Sequence, residues 1–206
     1  MPGLKRWLEL WTRLGAAVTD ERVFHHLIAR YSEPHRKYHT LHHLAECFER
    51  FAEIKTDAVH PDEVELALWF HDAVYDTRRH DNEENSADWA RTAVLAAGLP
   101  TSVAERVHAL IMATRHNSVP SGTDEQILVD VDLSILGANP ERFEEYENQV
   151  RAEYSWVPGK VFRSKRLALL KGFLERPTIF STQMFIEAYE AQARQNLERS
   201  IRKLGD

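Results

Sequence analysis

The chain has 206 residues, a hydrophobic share of 43% and a formal net charge of −6. Length and composition suffice for one large domain with its own core, and the acidic balance supplies no overall positive field for duplex nucleic acid or an anionic membrane surface. The single cysteine, Cys47, excludes an internal disulfide and reads as a buried structural thiol, and without a secretory-type leader or about 20 consecutive apolar residues the expectation is a soluble, cytoplasmic protein outside the membrane.

Apolar residues recur at three- and four-residue spacing almost throughout, which predicts an all-α fold. Leu4, Trp7, Leu8, Trp11 and Leu14 form one stripe, and Val23, Leu27 and Ile28 a second behind the capping candidate Asp20. Ser32-Glu33-Pro34 breaks the pattern, because the residue before a proline is pushed out of the α region. A third helix is expected from about Thr40 to Ile54, with His39 at or just before its first turn. Pro61 suits the first turn of a fourth, PDEVELALWFHDAV, which carries His71 and Asp72 near its end.

After the polar stretch DTRRHDNEEN, a fifth helix runs to a left-handed stop at Gly98, and a sixth covers about Ser102 to Thr114. Beyond the polar loop HNSVPSGTDEQ, the branched residues of ILVDVDLSILG also suit a short strand. The spacing of Ile127, Val131 and Ile135 with Leu128 and Leu136 favours a helix. Further helices are expected at Pro140 to Tyr154, Gly159 to Leu174 and Thr182 to Lys203. With no repeat and no long linker, residues 1–206 read as a single-domain helical bundle, its site motifs within 39–132 and a C-terminal helical extension from about 140. The five tryptophans, Trp7, Trp11, Trp69, Trp89 and Trp156, are expected in core and groove packing.

Chemistry-bearing residues concentrate in YHTLHHL (38–44), WFHDAVYD (69–76) and VDVDLSILG (129–137), each on or beside a helix. Imidazole and carboxylate together suit a divalent ion such as Mn²⁺, Fe²⁺, Mg²⁺, Co²⁺, Ni²⁺ or Zn²⁺, and such a set leaves a coordination position open for hydrolysis. His71 and Asp72 point about 100° apart on a regular helix, a restriction that relaxes at a helix end. His39 and Asp132 are the natural further candidates. No Walker loop, nucleophile elbow or Cys-x-x-Cys pair occurs.

The order His39, His71-Asp72, Asp132 in a helical chain resembles the HD-domain superfamily of metal-dependent phosphohydrolases. The strings EPHRKYHTLHHL, ALWFHDAVYD, DNEENSADWA, ILVDVDLSILG and EAQARQNL resemble its predicted phosphohydrolases of unassigned substrate, over nearly the whole chain. The resemblance implies an HD-type helical fold and a metal held by His39, His71, Asp72 and Asp132. It also implies a small phosphate ester as substrate, a nucleotide among the candidates. Relatives with paired irons make a di-iron oxygenase the alternative enzyme, and a non-catalytic nucleotide-binding module is a third reading.

Around this core, Asp72 is expected to help hold the attacking water, and His43, four residues after His39, to lie behind the metal or contact substrate. Glu83 is the candidate to orient water or protonate the leaving oxygen, or else a helix-dipole charge. Arg79, Asn82, His116, Arg151 and Arg163 are candidate substrate contacts, the arginines because a guanidinium fork matches phosphate. His25, His26 and His42 are expected in ordinary packing or at the surface, and Asp130 in a capping or hydrogen-bonding role. A homodimer is left open.

Overall fold

The computed structural model describes residues 3–116 and 118–205, and every regular element among them is helical. Asn117, within the expected polar loop HNSVPSGTDEQ, lies outside the described residues. The fold is all-α, and its helices gather into two compact units divided between Val131 and Asp132, inside the seventh helix.

The first unit holds α1 (Leu4–Leu14), α2 (Glu21–Tyr31), α3 (Leu41–Ile54), α4 (Pro61–Phe70), α5 (Asn82–Ala96), α6 (Thr101–Ala113) and most of α7 (Thr123–Leu133). Local chemistry sets the boundaries. The Asp20 side chain accepts from the Arg22 N–H at 2.9 Å, and that of Thr40 from the His42 N–H at 3.2 Å, giving α2 and α3 their N-caps. Gly98, at φ 78°, provides the left-handed stop after α5. Ile127 to Val131 are all buried, so their branched side chains reflect enclosure on every face of a helix and not the half-buried face of a strand.

α4 is the centre of this unit, packed by α1, α3, α5 and α6. From Glu63 to Phe70 every residue is buried, which explains why its sequence lacks a polar face. Two acids nevertheless lie on it, and each is paired as burial demands. Glu65 receives Arg6 Nε at 2.8 Å, Arg13 Nη2 at 2.9 Å and Lys55 Nζ at 3.0 Å, while Arg106 grips Glu63 with two bonds of 2.7 and 2.6 Å. Around the same helix Trp7 stands edge-on to Trp11 and Trp69, with ring centroids 5.3 and 5.4 Å apart.

The helix is shorter than expected. It ends at Phe70, His71 is its C-cap, and the Ala73 N–H turns back to the Phe70 carbonyl at 2.9 Å. His71 and Asp72 therefore leave the helix as a tight turn begins.

The second unit comprises a 3₁₀ turn at Ser134–Gly137, α8 (Pro140–Glu153), α9 (Gly159–Leu174), α10 (Gln183–Phe185), a π-helical turn at Ile186–Glu190 and α11 (Ala191–Gly205). Asn196, fully buried, donates to the carbonyls of Leu136 and Ala138 at 2.8 Å each. Arg166 pairs with Glu147, which also accepts from Ser200 Oγ at 2.6 Å. Gly137 has no room for a side chain, since a Cβ there would lie 2.6 Å from Tyr189 Cβ. One packing expectation is corrected: Trp156 is 48% exposed, because it sits in the turn between α8 and α9 just ahead of Pro158. Among the described residues, no helix is long and apolar enough to cross a membrane.

Candidate metal centre

The buried stripe of α3 is His43, Leu44, Cys47, Phe48, Phe51 and Ile54. His43 and Cys47, four residues apart, thus occupy core positions on the face turned inward. His43 is 2% exposed and Cys47 1%, with the sulfur 3.6 Å from His43 Nε2 and 3.7 Å from Nδ1.

The end of α4 delivers the second group. His71, also 2% exposed, places Nδ1 2.8 Å from the Leu68 carbonyl. A carbonyl can only accept, so Nδ1 carries a proton and Nε2 lies on the other side of the ring. That Nε2 lies 3.2 Å from His43 Nε2 and 3.1 Å from Asp72 Oδ2. Asp72 Oδ2 is in turn 3.5 Å from His43 Nε2. At the helix end these adjacent side chains turn toward each other.

Three atoms able to accept thus converge in an enclosed space. Asp72 Oδ2 is buried and, among the described residues, neither imidazole contact gives it a hydrogen bond of good geometry. Only a proton or a cation between these lone pairs makes the cluster electrostatically sound. Burial pushes the Asp72 carboxyl up, yet the opposing charges of His71, His39 and His43 outweigh it and hold the group well below the usual carboxylate range. The carboxylate is therefore ionised and available to a metal.

Asp132 is carried by the last turn of α7, a helix that begins in the first unit. One potential ligand atom from each of His43, Cys47, His71 and Asp132 lies within 4.8 Å of the other three. This buried His/Cys/His/Asp set is compatible with a metal site of the HD type. His43 and Cys47 join His71 and Asp132 in that group. The ring of His39 instead stacks on Tyr75, centroids 4.1 Å apart, with its centroid 6.0 Å from that of His43.

The other candidates fall in three places. α5 is fastened to the turn after Asp72: the Asn82 side chain accepts from the Asp76 N–H at 3.1 Å and donates to the Asp76 carbonyl at 2.9 Å, and Ser86 Oγ accepts from the Val74 N–H at 3.0 Å. Glu83 lies between these anchors on the first turn of α5, 3.9 Å from Arg115. Arg79 is chelated by Asp81 at 2.7 and 2.6 Å. His116, just past α6, adopts φ 55°, an uncommon conformation for a residue with a side chain.

Arg151 and Arg163 belong to the second unit. Arg151 closes the end of α8 by donating to the carbonyls of Tyr154 and Val157 at 2.6 and 3.2 Å, and Arg163 is exposed on α9. His25, His26 and His42 are surface residues, while Asp130 is fully buried. No family model matches the chain, and neither a curated protein nor a solved structure shows significant similarity to it.

Proposed function

We propose that the protein is a metal-dependent phosphohydrolase acting on a small phosphate ester, with a nucleotide among the candidate substrates. The observation that carries the reading is the convergence of His43 Nε2, His71 Nε2 and ionised Asp72 Oδ2 within 3.1–3.5 Å of one another. His43, His71, Asp72 and Asp132 would hold the cation, with His39 and Cys47 beside them. When bound, a divalent ion supplies Lewis-acid chemistry, making water nucleophilic near neutral pH and drawing charge from a phosphoryl oxygen.

The chain's own groups do the rest. The Leu68 carbonyl holds His71 Nδ1 as a donor, so that Nε2 is the nitrogen turned toward His43 and Asp72. Asp72, ionised and partly open to solvent with 19% of its side chain exposed, can accept a hydrogen bond from the attacking water and set its direction. Glu83, between the Asn82 and Ser86 anchors to the turn that follows Asp72, would carry a proton to the leaving oxygen. Arg79 and the neighbouring turn offer a guanidinium for the remainder of the phosphate.

The test is a screen of Mn²⁺, Fe²⁺, Co²⁺, Ni²⁺, Zn²⁺ and Mg²⁺ against nucleotides and generic phosphate esters, without oxygen, beside His71→Ala and Asp72→Ala proteins. Phosphate release by the parent and its loss in both folded variants is the expected result. Turnover retained in both variants, or turnover only when oxygen is admitted, would overturn the proposal.

A further inference from the structure

Arg36 belongs to no chemistry so far described, yet its side chain is fully enclosed, at 0% exposure, beside the candidate centre. The guanidinium lies over the rings of Tyr31 and Tyr75, 5.2 and 5.4 Å from their centroids. Its Nε donates to Glu33 Oε2 at 3.1 Å. Its Nη1 donates to the carbonyls of Asp72 at 2.7 Å and His39 at 3.2 Å, and its Nη2 to that of Ala73 at 3.2 Å. One planar fork thus joins the backbone just ahead of α3 to the backbone just after α4.

These two segments are the ones whose side chains converge. The Asp72 carbonyl shares its residue with the carboxylate that meets His71 and His43. Its peptide plane and its side-chain direction are therefore set together. The Ala73 carbonyl, bonded to the second arm of the fork, prevents the turn from rotating about the first. On the other side, the His39 carbonyl precedes Thr40, the N-cap that starts α3, so the same fork fixes the entry of the helix that carries His43.

We infer that Arg36 is a positioning residue for the metal centre: by bridging the His39, Asp72 and Ala73 carbonyls it sets the separation and orientation of the His43, His71 and Asp72 donor atoms. The inference deepens the metal-centre reading and rests on it. Lysine keeps the charge but not the function, since an ammonium is a single point on a flexible stem and cannot hold three carbonyls in one plane. The three carbonyls also explain why a cation is tolerated in so enclosed a place with one carboxylate partner.

The experiment uses metal-free parent, Arg36→Lys and Glu33→Gln proteins titrated with Co²⁺ alone, with His71→Ala as the blank for adventitious binding. Affinity and the visible ligand-field bands are read together with thermal unfolding of the metal-free forms. Arg36→Lys should lose about tenfold or more in Co²⁺ affinity, the scale of effects from groups that orient metal ligands, and should shift its bands. Glu33→Gln removes a partner whose side chain is 23% exposed, so folding persists, and it should lose affinity in the same direction by a smaller factor.

Parent-like affinity and bands in folded Arg36→Lys, even with a lowered melting temperature, would make the arginine a structural tether only and overturn the inference. If Arg36→Lys does not fold, unchanged affinity and bands in Glu33→Gln overturn it equally. A parent that takes up no more Co²⁺ than the His71→Ala blank refutes the metal centre itself, and the inference falls with it.

Discussion

Glu65→Gln isolates the electrostatics that allow α4 to be buried on every face. Glu65 is 2% exposed and accepts from Arg6, Arg13 and Lys55 at 2.8, 2.9 and 3.0 Å. A hydrogen bond to a charged group contributes about 1.5–3 kcal/mol and a neutral one about 0.5–1.5, so neutralising the acceptor weakens each of the three contacts by about 1 kcal/mol. The three donors are 32%, 39% and 35% exposed, however, and water screens part of what they lose. Asp62 also stays in place, 2.8 Å from Arg13 and 3.4 Å from Lys55. The net destabilisation should be about 2 kcal/mol.

Urea unfolding followed by far-ultraviolet circular dichroism reads this directly. With a slope of about 2 kcal/mol per molar, the midpoint should fall by about 1 M while the slope itself is unchanged. A midpoint within about 0.2 M of the parent would refute the reasoning, because the glutamate charge would then contribute nothing that a neutral amide cannot replace.

A divalent ion at about one hundred times its dissociation constant should stabilise the parent by about 2.7 kcal/mol and raise its melting temperature by about 5–10 °C. The same rise in His71→Ala would place the binding elsewhere. Thr40→Ala removes the side-chain cap of α3 and should destabilise by about 1 kcal/mol in thermal or denaturant unfolding; no measurable change would mean that the backbone turn alone starts the helix. The side-chain hydrogen bond from Arg22 holds the Asp20 carboxyl below its ordinary 3.8. A depressed folded value means that this stabilisation is present above 3.8 and lost as pH falls through the lower folded one, so Asp20→Asn should flatten the acid limb of stability only between 3.8 and that lower value. Superimposable stability curves for parent and variant in that range would contradict it.

Much of the helical layout was legible because helix signals are local. Asp20, Thr40, Pro61 and Gly98 act within a turn of their own position, and each marks a boundary in the structure. The early end of α4 was not legible, since ALWFHDAV continues the apolar pattern while the turn at Ala73 follows from the backbone beyond it. At the site, His71 and Asp132 stand in the buried ligand-capable set, and Asp72 is 3.1 Å from His71. The place of His43 and Cys47 had a readable signal, an i,i+4 pair at the positions that Leu44, Phe48 and Phe51 define as the inward stripe. Arg36 had none: its partners are mostly main-chain carbonyls, which every residue carries and no residue type announces.

The enclosure of α4 bears on how this part of the protein can move. A rod gripped by four neighbours, with its ionised groups locked to cations on separate helices, moves only by whole-turn repacking and not by small degrees. His71, at the tip of that rod, is thus a fixed reference point. Residues 78–80, by contrast, are exposed in the stretch between α4 and α5, where a change of side chain leaves that rod untouched.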